Sequence, residues 1–466
     1  MRKRELIILL TVSILSYPVF AQNFSVNTSG IGLYHLSNAQ GLALALDNGK
    51  IELTEQFTDA SLWRKTNLAD GFFYLDAETD KASKRLRATS YLGVNTTMTG
   101  VDGRNNDVQW SIIKTKSDLV NILHKSSNRF LCSEGDSIYL TSDKKQRPSV
   151  QWKIELKRLD LESLASPRIL MGDDNHGFRD PALIRHNGMY YMYYSFVKTE
   201  EEGRIYWYIG MSKSEDLVHW SDPKILTEKD QSKNFASPGN IIRWKDHWVI
   251  CMQTYVMPGY TRDDPLRFGN KDCRIWIMRS FDLENWSEPE MLEVKGPGVD
   301  PGQMIDVYLQ EDKDEKGKWW AFFKQRQKGE SAANYSYSYD LKNWTYEGFV
   351  EAGENVCVWV EDDTYYMLHS PEKGMGLLTS KNLKKWKPFF EEEILGQEEW
   401  GDWCGQRVTA GFVLDLRDDP TVGKYLMFFH GQGPAPKTTE IINSGTDMAI
   451  AWSDDLVTWE WPGKRK

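Results

Sequence analysis

The chain has 466 residues, of which 40% are hydrophobic and 27% charged. That is enough apolar material for two or three packed domains and too much for general disorder. Asp and Glu outnumber Lys and Arg by 67 to 57, giving a net charge of −10, which argues against a nucleic-acid binder with its basic footprint. Five cysteines without a Cys-x-x-Cys spacing do not point to a disulfide framework or a zinc knuckle.

The first element in chain order is a leader. Met1-Arg2-Lys3-Arg4 precede an apolar run from Leu6 to Phe20, closed by Ala21. A basic start, a short apolar stretch containing Pro18 and a small residue at its end predict a secretory signal peptide over residues 1–21. The run is short for a membrane anchor, which needs about 20 spanning residues. The expected location is therefore periplasmic or secreted, with no membrane insertion after cleavage.

Residues 22–158 carry a weak threefold repeat. Ser61-Leu62-Trp63, Gln109-Trp110 and Gln151-Trp152 close three similar segments, each with short alternating strands such as Ala43-Leu44-Ala45-Leu46. No helical period is present. Three all-β copies with one Trp each predict a closed threefold barrel with the indoles in a shared core. The Gln-Trp pairs at Gln109-Trp110 and Gln151-Trp152 resemble, without its middle residue, the Gln-x-Trp signature of ricin-type β-trefoil lectins. The resemblance implies a carbohydrate-binding module, and no sugar-contacting residue is assigned in it.

Residues 165–466 carry a clearer repeat. Ser-x-Asp-Leu-x-x-Trp and its variants recur at Ser214–Trp220, Ser280–Trp286, Ser338–Trp344, Ser380–Trp386 and Ser453–Trp459. An aromatic-rich strand precedes each copy, as in Tyr190-Tyr191-Met192-Tyr193-Tyr194, and a short apolar strand precedes that, as in Ala182-Leu183-Ile184. Five units of at least three antiparallel strands predict a five-bladed β-propeller. The expected fold is all-β: a trefoil followed by a propeller.

In a propeller the first strand of every blade lines the central channel. The residues at the start of those strands therefore crowd round one mouth. Three acidic residues fall there: Asp180, Asp306 and Glu354. Carboxylates held close together repel, and glycoside hydrolysis is a chemistry that needs them. One protonates the leaving oxygen, one activates water or attacks carbon, and a third tunes the acid. Asp300-Pro301 is a rival to Asp306, with a worse strand phase. His176 and Arg179 precede the first carboxylate, and Trp400, Trp403, Gln406 and Arg407 precede the last inner strand. Aromatic faces suit sugar rings, and Arg or Gln suit hydroxyls. His176, Arg179, Trp403, Gln406 and Arg407 are the expected substrate contacts.

Asp180-Pro181-Ala182-Leu183-Ile184, Ile305-Asp306 and Glu354 ahead of Tyr365-Tyr366 resemble glycoside hydrolase family 43 and its five-bladed relatives. The resemblance implies Asp180 as general base, Glu354 as general acid and Asp306 as the residue that tunes and orients the acid. It implies inversion, and exo action on an arabinofuranosyl, xylosyl or related sugar. Gln406 stands where that family often has a metal-holding His, so no metal ligand is assigned; no cofactor is expected, a structural calcium being left open. A carbohydrate is the expected partner and a monomer the expected state. Three rivals stand beside this reading. Arg179-Asp180-Pro181 is similar to a triplet of retaining propeller fructan hydrolases and sucrases. A non-catalytic glycan-binding protein and a phosphorylase are the others.

Overall fold

The computed structural model describes residues 27–464, apart from 28, 69, 78–82, 89–92, 99–105, 143–146, 266–268, 328–329, 372–373, 391–393, 395–401, 405–406 and 434–444. The leader expected over 1–21 lies outside the described residues. Among those described, no helix is long and apolar enough to cross a membrane.

Near the N-terminus six antiparallel strands close on themselves: Gly32–Asn38, Leu62–Asn67, Phe73–Ala77, Trp110–Lys114, Val120–His124 and Gln151–Leu159. Three two-stranded hairpins stand off this barrel, at 43–54, 84–98 and 129–141. Trp63, Trp110 and Trp152 are all fully buried. Each indole N–H is satisfied by a carbonyl of the hairpin in its own segment: Leu44 at 2.8 Å, Leu86 at 3.2 Å and Leu131 at 2.9 Å. Each of these indoles thus ties its barrel strand to the hairpin of its own segment.

The rest of the described chain forms five four-stranded antiparallel blades around an axis. The inner strand of blade one is His176–His186, of blade three Ile305–Glu311, of blade four Glu354–Glu361 and of blade five Arg407–Leu416. In blade two it is split into Phe235–Ala236 and Ile241–Trp244. The second strands are Met189–Thr199, His247–Thr254, Trp319–Gln327, Thr364–Ser370 and Lys424–Gln432. Their aromatic and apolar side chains fill the space between blades.

The fourth strand of each blade follows the Ser-x-Asp-Leu-x-x-Trp turn and is only two residues long in blades one, two, four and five, which is why sequence periodicity showed three strands with certainty and not four. The turn itself is a packing device. The carboxylate of Asp216, Asp282, Asp340 or Asp455 accepts backbone N–H groups two and three residues on. The Leu that follows sits at positive φ (Leu217 64°, Leu283 65°, Leu341 54°, Leu456 66°) and is buried. A left-handed Leu is strained. Its burial between blades offsets that strain.

The ring is closed out of sequence order. Arg168–Leu170, ahead of blade one, pairs with Asp447–Ser453, the third strand of blade five. The Asn27 side chain holds the segment leading into this strand, accepting from the N–H groups of Ala165 and Ser166 and donating to the carbonyls of Ser166 and Arg168.

Candidate active site

The inner strands share one irregularity. Their pairing with the second strand slips between Arg179 and Ala182, Ile305 and Tyr308, Glu354 and Cys357, and Thr409 and Phe412. At each slip one residue takes positive φ: Asp180 51°, Asp306 54°, Asn355 53° and Ala410 57°. Ser237, at 42°, does the same where the blade-two strand is split. These five residues line one small axial cavity of about 30 Å³, together with Pro181, Gly239 and Cys357. Bulges re-aim side chains, and here they turn five equivalent residues to the axis.

This frame corrects one sequence expectation. Asp180 and Asp306 are equivalent, as expected, but their counterpart in blade four is Asn355. Glu354 comes one residue earlier, in the position of Arg179, Ile305 and Thr409. It is half-buried beside the axial cavity rather than lining it. The rival Asp300 lies outside the inner strand on an exposed loop.

Asp180 and Asp306 are both buried. One Asp180 carboxylate oxygen accepts from the hydroxyls of Ser195 at 2.7 Å and Ser237 at 3.1 Å. The Asp180 N–H donates to His430 Nδ1 at 3.0 Å. His430 Nδ1 also lies 3.5 Å from an Asp180 carboxylate oxygen. The Asp306 N–H donates to the Gln253 side-chain oxygen. The Glu354 carboxylate is paired with the Lys324 ammonium. Gly353, next to it, donates its N–H to His369 Nδ1 at 3.0 Å, and burial pushes His369 down to about 4. Tyr255 lies within electrostatic reach of both Arg179 and Asp306; burial raises it to about 12, with Arg179 opposing and Asp306 adding to the rise.

The expected substrate contacts are less convergent. His176 stacks on Phe196 at 5.6 Å and bonds the Asp173 carboxylate at 2.9 Å. Arg179 lays its guanidinium 5.3 Å from the Trp207 ring. Trp403 packs beside Phe429 at 6.4 Å, with the Arg168 guanidinium 6.0 Å from its ring. None of these three lines the axial cavity. Gln406, Trp400 and the Arg407 side chain lie outside the described residues. Among those described, no three His, Cys, Asp or Glu side chains are grouped to hold a metal ion.

Sequence reasoning assigned no catalytic or binding role to Ser195, Ser237, Gln253, Lys324, His369 or His430. Their signal lies in the repeat frame. Ser195, Gln253, Lys324, Ser370 and His430 occupy one equivalent position, opposite Arg179, Ala236, Ile305, Glu354 and Thr409.

Residues 175–357 match the family described as glycosyl hydrolases family 32 N-terminal domain. That span runs from the start of blade one into the inner strand of blade four and takes in Asp180, Asp306 and Glu354. The propeller is that of a glycosidase, and its substrate is a carbohydrate. The match is to family 32, not to the family 43 whose motifs the sequence resembles. Solved structures similar to the chain include an exo-1,5-α-L-arabinanase from a bovine ruminal metagenomic library, 15% identical over 62% of this chain and 99% of that one, with a TM-score of 0.43. The catalytic domain of the Coprinopsis cinerea family 62 α-L-arabinofuranosidase is 13% identical over 62% and 97%, at 0.46. A family 117 glycoside hydrolase of the marine bacterium Zobellia galactanivorans is 16% identical over 61% and 86%, at 0.45. No curated protein matches the chain.

Proposed function

We propose that this glycosidase cleaves with Asp180, Asp306 and Glu354, removing an arabinofuranosyl, xylosyl or related terminal sugar from plant-type polysaccharide with inversion. The observation that supports the reading is that Asp180 and Asp306 line one axial cavity, while Glu354 stands one residue before Asn355, which lines it too. Asp180, fixed by two hydroxyls and a backbone anchor, suits the base that orients water. Glu354 is the acid, and Asp306 orients it. The family 32 match favours a second reading with the same residues, in which Asp180 is a nucleophile and configuration is retained. The six-stranded barrel with its three indole-anchored hairpins is proposed to be a β-trefoil that tethers glycan. A pocket of about 320 Å³ in its third segment, lined by Gln40, Glu134, Tyr139 and Arg147, is the seat we assign. The domains are taken as 1–21, 22–158 and 165–466, the first delivering the enzyme to the periplasm or the medium.

The test is a panel of aryl glycosides and plant polysaccharides offered to the wild type and to Glu354→Gln. Release of one sugar by the wild type only supports the reading. Equal turnover by both proteins removes Glu354 from the mechanism. The anomer first formed, read by proton NMR, separates inversion from retention.

A further inference from the structure

The equivalent second-strand position has a structural task. In four blades its side chain accepts the N–H of the left-handed residue on the next inner strand. Ser195 accepts from Ser237 at 2.7 Å, Ser370 from Ala410 at 2.9 Å and His430 from Asp180 at 3.0 Å. Gln253 accepts from Asp306. A bulged N–H cannot join the ladder, and a neighbouring blade satisfies it. The chemistry required is a neutral acceptor, and Ser, Gln and neutral His all supply one.

Blade three breaks this rule. Its residue is Lys324, and an ammonium has no acceptor. Lys324 reaches the same neighbouring inner strand but bonds the Glu354 carboxylate, one residue before the left-handed Asn355. A repeat that abandons its structural residue in one copy marks a site where something other than stability selects. The copy that does so faces the one acidic residue in the Arg179-type position.

We propose that Lys324 is a positioning residue, holding the Glu354 carboxylate at the mouth and keeping it ionised until substrate displaces the ammonium. The proposal rests on the reading of Glu354 as a reacting carboxylate. An opposite charge at hydrogen-bond distance favours the charged form of a carboxylate. A general acid must be protonated when it acts, so a proton reaches Glu354 only as the pair opens. The titratable and charged groups on the elements packed against the Glu354 strand are Asp306, Tyr308 and Glu311 of the blade-three inner strand, Lys324 and Arg326 of its second strand, Glu330, Tyr335 and Tyr337 of its third, Tyr365, Tyr366 and His369 of the blade-four second strand, and Asp415 and Arg407 of blade five, the Arg407 side chain being outside the described residues.

Lys324→Gln tests this directly, because Gln is the residue blade two uses at this position. The full chain is labelled with ¹³C at the Glu carboxyl, and Glu354→Gln identifies the Glu354 resonance by its loss. In Lys324→Gln the resonance is expected to titrate about one pH unit or more higher than in wild type, while thermal stability holds or rises because the ring regains an acceptor. Lys324→Arg is expected to restore the wild-type titration, and it serves in place of Gln if that variant fails to fold, since a wild-type midpoint in Arg together with a raised one in Lys324→Met supports the same reading. An unchanged midpoint in every folded variant lacking the cation overturns the proposal. The titration needs no substrate, so its outcome is independent of the turnover panel.

Discussion

Asp180 is held at three points, two on its carboxylate and one on its backbone, and each contact has a separate consequence. Ser195 and Ser237 occupy one carboxylate oxygen, and His430 fixes the backbone. Asp180→Asn preserves this shape and removes the charge. Turnover is expected to fall about 10²–10⁴-fold, with a melting temperature close to wild type, as general acid–base groups usually contribute that much. Circular dichroism melts beside an activity assay check it. His369 makes a different prediction. Its folded value is about 4 against 6.5 for the free side chain, and burial is the cause. Between those pH values the unfolded chain binds more protons than the folded one. Stability is therefore unaffected above about pH 6.5 and falls as pH drops towards 4, by up to about 3 kcal/mol. Urea unfolding at pH 7.5, 6 and 5 should show this slope in wild type, and His369→Gln should flatten it. Both roles arise from contacts between different strands or blades, so neither was legible from the residues flanking these positions.

Individual strands show where the sequence was readable. Alternating apolar residues and the Ser-x-Asp-Leu-x-x-Trp turn are local, and both identify blades because they encode pairing and turning within a few residues. The bulge is not local. Asp306 and Asn355 belong to the residue types that tolerate a left-handed backbone, but that preference alone marks no bulge among the many Asp and Asn of the chain. Close approach of inner strands is equally silent. A Cβ on Gly239 would lie 1.5 Å from the Val307 carbonyl oxygen, backbone that cannot move aside. Gly239→Ala is expected to cost about 3 kcal/mol or more. Gly348→Ala, where the nearest atom is the Tyr335 hydroxyl at 3.4 Å, is the control and should be nearly neutral. Paired thermal melts decide it.

For the molecule as a whole, stability depends on closing the ring. Residues 168–170 complete the fifth blade, and Ile169 there is fully buried. Ile225, on the outer strand of blade one, is 42% exposed. Ile169→Asp places an unpaired charge inside the closure and is expected to cost more than about 4 kcal/mol, whereas Ile225→Asp should stay within about 0.5 kcal/mol. Denaturant midpoints of the two variants measure the difference. Sequence alone determined the all-β class, the three and five repeats and the order of the two modules. All of these follow from short-range patterns that strands and turns impose on neighbouring residues. Only the tertiary structure decided which residue faces the axis, that Lys324 stands against Glu354, and that His430 reaches a residue 250 positions away. The His430 contact joins blades that meet only when the ring is closed, the Lys324 contact crosses the interface between neighbouring blades, and a linear chain carries no local trace of either.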